Sequence, residues 1–154
     1  LSSSSAASDV YKRQEYASAE NFRKGGYIIS DCDSNPEIII FSTGSEVWLA
    51  LDAKKQLSEY NVRVVNLGCW ELFEEQDEDY KSSILGTEDS FLVSIEAGVT
   101  QGWERFTGRN GLNIGINTFG ESAPAKDVAD HFGLNPDTIV EKIQKRMGVG
   151  QPVI

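Results

Sequence analysis

The sequence predicts a three-layer α/β/α sandwich built around a mostly parallel β-sheet. From Gly26 onward, short apolar segments alternate with segments of helical periodicity, a pattern typical of α/β proteins. The apolar segments are nearly continuous in Ile, Val, Leu and Phe, as expected for strands that are covered by helices on both faces. A chain of 154 residues is about one domain and can bury a sizeable core.

Five segments are predicted to be strands. The run from Ile38 to Phe41 is wholly apolar, and the run that begins at Val62 is rich in Val, which favours strands. A short polar turn joins the first strand to the second, so these two strands would be antiparallel if they paired directly. We therefore expect a mixed sheet in which the first strand is the exception. The predicted strands are residues 27–30, 38–41, 62–67 and 91–95, and the last strand is expected within residues 112–119, weakened by Gly115.

Five helices are predicted between and after the strands. Pro136 fits the first position of the last helix with Asn135 as its cap, and Gly133 fits the end of the preceding helix. An acidic run at residues 71–79 leads into another helix, where carboxylates favour the positive end of the helix dipole. The first helix is indicated by apolar residues at helical spacing, Val47, Ala50, Leu51 and Leu57. The predicted helices are residues 45–60, 77–85, 103–107, 125–132 and 136–147.

Charge and residue usage exclude several classes of function. A net charge of −10 disfavours nucleic acid and anionic membranes as partners, because both would be repelled. Cys32 and Cys69 lie far apart, which makes a disulfide framework or a zinc site improbable and favours a reducing, cytoplasmic location. His131 is the single histidine, so a site that needs two imidazoles from this chain is excluded.

Three regions are expected along the chain. Residues 1–24 are predicted to be a tail or linker that is disordered or artefactual, because their start is dominated by Ser and Ala and resembles translated linker sequence. Residues 25–147 are predicted to form the folded domain, and residues 148–154 a C-terminal tail.

The segment STGSEV follows the second strand and raises the question of an anion site. Thr43, Gly44 and Ser45 are weak candidates for binding an anion, because ligands of α/β sheets bind at the carboxyl ends of strands. However, the segment lacks the glycines and the lysine of phosphate-binding loops. Thr43 and Glu46 have the spacing of a capping box, and we expect this segment to cap the first helix.

Two further loops are candidates for either a site or an interface. Both follow predicted strands, where α/β proteins commonly place functional residues. A carboxylate at the end of the fourth strand would be able to face a cleft. The interface candidates are Glu96, Gly120, Glu121 and Ser122.

The remaining candidates have simple structural explanations. Asp127 and His131 lie four residues apart on a predicted helix and are expected to be a surface pair. Four aromatic residues are expected in the core, namely Trp103, Phe106, Phe119 and Phe132. Trp48 and Trp70 lie off the apolar stripes and are expected to be partly exposed, which makes them weak partner candidates.

Four motifs, taken in order, resemble the C-terminal domain of transketolase. They are PEIIIFSTGSEVWLALDA, FEEQDEDYKSSIL, SIEAGVTQGWERFTG and NTFGESAPAKDVADHFGLNPDTIVEKI. The resemblance covers about residues 25–147. Dihydroxyacetone synthase, deoxyxylulose-phosphate synthase and the β subunit of pyruvate dehydrogenase share this type of domain, but GESAP and TGSE favour transketolase or its closest kin over the latter two.

The resemblance implies an enzyme of the pentose phosphate pathway that moves a two-carbon ketol unit between sugar phosphates. It implies thiamine diphosphate and Mg²⁺ in the parent enzyme, held by two preceding domains across a homodimer interface. It also implies a mixed five-stranded domain with one antiparallel strand, which packs the dimer and supplies no catalytic, cofactor-binding or metal-binding residue. Arg13 lies in a stretch similar to a substrate-binding motif of the family, but its spacing is too short for that role.

Two other interpretations stay open at this point. In the first interpretation, the chain is a stand-alone regulatory module that binds an anion or nucleotide near Thr43 to Ser45. Alternatively, it would be one subunit of a split or related thiamine-diphosphate enzyme.

Overall fold

The computed structural model describes residues 18–117, residue 127 and residues 130–148. Five strands form one sheet in the order β1-β3-β2-β4-β5. The strands are β1 (Gly26–Ser30), β2 (Ile38–Ser42), β3 (Val62–Leu67), β4 (Phe91–Ile95) and β5 (Leu112–Ile114). The helices are α1 (Val47–Gln56), α2 (Trp70–Glu74), α3 (Glu78–Leu85), α4 (Glu104–Thr107) and α5 (Pro136–Arg146), with 3₁₀ turns at Ala19–Lys24 and Gly44–Glu46.

The sheet is mixed, as the sequence predicts. β2 pairs in parallel with β3 and β4, and β4 pairs in parallel with β5, whereas β1 is antiparallel to β3. β1 therefore does not pair with β2, its neighbour in sequence, because both edges of β2 are already occupied. Its register on β3 shifts between Ile28 and Ser30.

Two cores, one on each face of the sheet, complete the predicted three layers. On one face, alternate residues of the strands pack under α1 and α5 in an aliphatic core that includes Ile38, Ile40, Val64, Leu51 and Ile139. On the other face, the intervening residues pack under α2, α3 and α4 in a core rich in aromatic rings, which includes Phe41, Phe73, Ile84, Trp103 and Phe106. Because strand side chains alternate between faces, one apolar run such as β2 feeds both cores.

Several predicted element ends are confirmed. Asp77 caps α3 by accepting a hydrogen bond from the Tyr80 amide at 2.8 Å. Asn135 caps α5 by accepting from the Thr138 amide at 2.9 Å, and Pro136 is the first helical residue. The preceding turn is closed at Gly133, whose φ is +76°.

Other ends differ from the predictions. α1 begins at Val47 rather than at residue 45, since a 3₁₀ turn precedes it, and it ends at Gln56 rather than at residue 60. β5 covers Leu112–Ile114, the first part of the segment 112–119 predicted to contain it, and residues 118 and 119 lie outside the described residues. After Ile114, the backbone of Gly115 lies so close to Gly98 that a Cβ would stand 2.5 Å from the Gly98 carbonyl oxygen.

The end of the predicted N-terminal tail is structured. Residues Ala19–Lys24 form a 3₁₀ turn capped by the Ser18 hydroxyl, and this turn contacts β1. Residues 18–24 are thus ordered against β1, whereas residues 1–17 and 149–154 lie outside the described residues, and the division of the chain into tail, domain and tail stays a prediction. Among the helices that the structure describes, none is long and apolar enough to span a membrane.

Candidate functional site

The STGSEV segment does not form the predicted capping box. Neither Thr43 nor Glu46 caps a helix with its side chain, and the Glu46 carboxylate instead accepts a hydrogen bond from the Ser45 hydroxyl at 2.8 Å. The cause is the backbone at Gly44, where a φ of +60° starts a 3₁₀ turn before α1. This turn places Glu46, rather than Thr43, at the position that precedes the α-helix.

The anion-binding role of Thr43, Gly44 and Ser45 stays a prediction. Gly44 and Ser45 are exposed at the start of the 3₁₀ turn. The carboxylate of Glu46 is hydrogen-bonded there, and a second anion beside it would be repelled. The local electrostatics therefore disfavour an anion at this turn.

A cleft of about 480 Å³ opens at the carboxyl ends of β2, β3 and β4. We call it the carboxyl-edge cleft. Its floor and walls come from the loops that follow three neighbouring parallel strands, which is where ligands and partners of α/β domains commonly bind. Its lining includes Thr43, Gly68, Cys69, Trp70, Glu96 and Val99.

Glu96, predicted as an interface candidate, lies in this cleft. Its carboxylate accepts a hydrogen bond from the Trp103 indole N–H at 2.5 Å. The Trp103 ring packs edge-on against Trp70 with ring centroids 5.1 Å apart, so the carboxylate is fixed by a rigid aromatic wall. Because Glu96 is only half-buried, it can still contact a partner. Its role in an interface stays a prediction.

The other three interface candidates, Gly120, Glu121 and Ser122, lie outside the described residues.

The cleft also contains groups that sequence patterns did not indicate. Gly68 and Cys69 line it because β3 ends beside β2, a neighbourhood that only the strand order establishes.

Two buried polar atoms lie at the same edge of the sheet. Ser42 and Asn66 are register partners at the ends of β2 and β3. The Ser42 hydroxyl is fully buried, and neither it nor the Asn66 side-chain oxygen has a hydrogen-bond partner within the described part of the chain. Most buried polar groups in native proteins are paired, so this edge is incomplete in its hydrogen bonding.

Two of the four aromatic residues predicted in the core are confirmed there. Trp103 and Phe106 are buried in the core, Phe132 is half-buried, and Phe119 lies outside the described residues. Trp70 is half-exposed yet packs against both core rings, and Trp48 has an exposed fraction of 37%.

The opposite, amino edge of the parallel strands carries a charged cluster that sequence patterns did not reveal. We call Asp31, Lys54 and Arg63 the amino-edge cluster. Arg63 donates to both carboxylate oxygens of Asp31, at 2.8 and 3.2 Å, and to the Ser83 carbonyl at 2.8 Å. Lys54 donates to the Ser30 hydroxyl at 2.8 Å and to the Asp31 carbonyl. These bonds tie the turn after β1 to β3, α1 and the end of α3.

The charges of the amino-edge cluster shift one another's proton affinity. Burial raises the pKa of Asp31, but hydrogen bonds from Arg63 and from the Cys32 amide outweigh it and bring the pKa below its usual value. Burial lowers the pKa of Lys54, and the neighbouring charges of Cys32, Asp31 and Asp33 offset this only in part. A cleft of about 420 Å³ adjoins this cluster.

Asp127 and His131 are both exposed, as predicted for a surface pair. In the described part of the chain, the Asp127 carboxylate and the His131 imidazole do not form an ion pair. His131 instead meets the ring of Phe132 edge-on, with centroids 5.1 Å apart.

The described lining of the carboxyl-edge cleft does not fit a diphosphate, and the described residues as a whole offer no metal cluster. They contain no group of three or more His, Cys, Asp or Glu side chains that could hold a metal. No Lys or Arg lines the described walls of the carboxyl-edge cleft, while Glu71 and Glu96 do, and these carboxylates would repel a diphosphate.

A family model described as the transketolase-like C-terminal domain matches residues 25–135, well over half of the chain. The chain belongs to this family. A transketolase from Aquifex aeolicus is 44% identical over 85% of this chain, which spans 19% of that relative. A chloroplastic transketolase from Solanum tuberosum is 45% identical over 80% of the chain, which spans 17% of it.

The fold of this transketolase-like domain agrees with solved structures. A transketolase variant from Pichia stipitis in complex with fructose 6-phosphate is 34% identical, with a TM-score of 0.79. The match covers 87% of this chain and 19% of that one. The chain therefore corresponds to about a fifth of its relatives, and the mixed five-stranded sheet is the family's fold.

Proposed function

We propose that this chain is the C-terminal domain of a transketolase, an enzyme that transfers a two-carbon ketol unit between sugar phosphates in the pentose phosphate pathway. The observation that carries the proposal is the 44% identity to the Aquifex aeolicus enzyme over 85% of the chain. The match extends over 133 residues, which is most of the chain. The parent enzyme would work in the cytoplasm.

Within that enzyme the role of this domain is structural. The parent would use thiamine diphosphate and Mg²⁺, and these would be held by the preceding domains across a homodimer interface. The acidic lining of the carboxyl-edge cleft supports this division, because Glu71 and Glu96 are unsuited to holding a diphosphate. The domain would contribute packing surface for the neighbouring domains and for the second subunit.

Calorimetry of the chain with thiamine diphosphate and Mg²⁺ tests the structural role. We expect no saturable heat of binding, whereas full-length Aquifex aeolicus transketolase, as the positive control, should bind under the same conditions. Saturable, Mg²⁺-dependent binding to the chain alone would contradict the proposal.

A chimera tests the assignment to a transketolase. Residues 18–148 of this chain would replace the matching C-terminal segment of the Aquifex aeolicus enzyme. We expect the chimera to bind the cofactor and to transfer ketol units, measured by the appearance of the aldose phosphate product. A dimeric chimera that binds cofactor but has no activity would count against the assignment.

A further inference from the structure

We propose that the carboxyl-edge cleft is the surface on which this domain receives the domain that precedes it in the same polypeptide. The inference rests on the proposed function and adds the site and the chemistry of the contact. The partner surface would present apolar side chains flanked by cationic or N–H groups.

Exposed apolar side chains border the cleft. Val99 has an exposed fraction of 60%, and Phe22 one of 43%. The Phe22 ring lies against the backbone of Gly68, so closely that a Cβ there would stand 2.2 Å from a ring carbon. Apolar groups of this size that border one concave surface are typical of interaction sites.

The walls of the cleft are already in a fixed arrangement. The hydrogen bond from Trp103 to Glu96 and the contact between the two Trp rings hold one wall. The Trp70 ring lies against Gly102, where a Cβ would stand 2.9 Å from it. A preformed surface loses little side-chain freedom on binding, which favours a specific partner.

The charge of the cleft lining indicates the chemistry of that partner. The described lining contains the carboxylates of Glu71 and Glu96 and lacks Lys and Arg, so cationic or N–H groups would complement it.

The path of the chain identifies the occupant. The Gly25 carbonyl accepts hydrogen bonds from the amides of Gly68 and Cys69, both at 3.0 Å, so the polypeptide that precedes Gly25 enters the domain beside the cleft. In the Aquifex aeolicus relative, this C-terminal domain accounts for 19% of the length. A domain tethered at the rim of the cleft has a high effective concentration there.

The two cysteines provide a matched pair of probes. Cys69 lines the carboxyl-edge cleft, Cys32 lies in the turn at the amino edge, and both are half-buried. The rate of alkylation by iodoacetamide would be followed for each cysteine by mass spectrometry of its peptide, in the chain alone and in the chimera described above.

We expect alkylation of Cys69 to be about tenfold slower or more in the chimera, with the rate at Cys32 changed by less than about twofold. An unchanged rate at Cys69, or protection of Cys32 instead, would overturn the proposal. Protection of Cys69 in the chain alone that grows with its concentration would also overturn it, because the occupant would then be a second copy.

Activity and alkylation separate the two proposals. An active chimera with a freely reactive Cys69 would contradict the docking surface and leave the assignment to a transketolase intact. An inactive chimera with a protected Cys69 would contradict the assignment to a transketolase and leave the docking surface intact.

Variants of the chain alone keep the docking surface testable even if the chimera does not fold. Val99→Asp should leave its Tm within about 2 °C of the parent value, as should the control Ser58→Asp at the amino edge, since both positions are exposed. A fall of more than about 5 °C for Val99→Asp alone would show that Val99 stabilises the domain itself, and would overturn its role as a contact for a partner.

Discussion

The two edges of the parallel strands differ in whether their polar side chains are hydrogen-bonded within the domain. At the amino edge, Asp31, Lys54 and Arg63 are joined by hydrogen bonds into one cluster that ties the turn after β1 to three other elements. At the carboxyl edge, buried polar atoms of Ser42 and Asn66 have no hydrogen-bond partner within the described part of the chain, and a cleft with exposed apolar borders opens nearby. The amino edge is complete within this domain, whereas the carboxyl edge has the features of a surface that another domain covers.

The largest effect is expected from breaking the aromatic wall of the carboxyl-edge cleft. Trp103→Ala should lower the free energy of unfolding by about 3–5 kcal/mol, because it empties a buried indole site and removes the donor to Glu96. Urea denaturation of the chain measures this loss. Trp103→Phe, which keeps a ring but not the N–H, should cost less, about 1–3 kcal/mol. Equal losses for the two variants would show that the ring contributes little.

At the amino edge, a smaller loss is expected for Arg63→Gln. The side chain of Arg63 is 12% exposed and donates to Asp31 and to carbonyls at the end of α3. Its removal should cost about 1–3 kcal/mol in urea denaturation, since these partners lose charged hydrogen bonds. Arg105→Gln is the control: this side chain is 52% exposed and pairs with Glu74 at 3.2 Å, which predicts a cost below about 1 kcal/mol. A larger loss of unfolding free energy for Arg105→Gln than for Arg63→Gln would contradict the view that the amino-edge cluster stabilises the domain.

A matched pair of serines compares a satisfied hydroxyl with an unsatisfied one. Ser94 is buried on β4 and donates to the Asn113 side chain at 2.7 Å, so Ser94→Ala should cost about 0.5–1.5 kcal/mol. Ser42→Ala should be neutral or slightly stabilising in the chain alone, because it removes a buried group without a partner. Thermal unfolding of the two variants measures the difference. If Ser42→Ala costs as much as Ser94→Ala, the carboxyl edge is already complete without a partner.

The smallest expected effect is a pH dependence of thermal stability that comes from Asp31 at the amino edge. The folded-state pKa of Asp31 lies below the ordinary value of 3.8, so its ionised form stabilises the fold above that pH. This contribution is lost as the pH falls through the folded-state pKa. The Tm advantage of the parent over Asp31→Asn should be constant near neutral pH and shrink below about pH 4. Because the Asp31 side chain is 43% exposed, we expect a difference of only about 1–3 °C.

The control for this pH dependence is Asp33→Asn, which removes a nearby charge and leaves the bond between Arg63 and Asp31 in place. A Tm difference for Asp31→Asn that persists unchanged in acid would show that its carboxylate is not the source of the stabilisation.

Local patterns predict much of this fold. β3 and β4 have the predicted bounds because each is a short run rich in apolar, β-branched residues that is followed by a loop containing glycine. The predicted cap at Asn135 is confirmed, and the helix predicted to begin at residue 77 uses Asp77 as its cap, because capping depends on residues within one turn of the helix. The same local reasoning was wrong at Thr43, where the capping-box spacing is present but the positive φ of Gly44 starts a 3₁₀ turn.

The candidate site was predictable only in part. Glu96 is recognisable as a carboxylate at the end of an apolar strand. The adjacency of Ser42 and Asn66 depends on the parallel register of β2 and β3, and the bond between Arg63 and Asp31 depends on how the turn after β1 folds back. Such pairs are distant in sequence and follow no periodic spacing, so only the strand order brings them together.

The two outer strands of the sheet restrict how this domain can assemble with others. β1 shifts register between Ile28 and Ser30, and β5 is three residues long. Irregular or very short outer strands are poor templates for adding another chain's strand, which protects a sheet from edge-to-edge aggregation. Growth of the sheet into a neighbouring molecule is thereby discouraged. Contacts through loops at the ends of the strands are left as the favoured route of assembly.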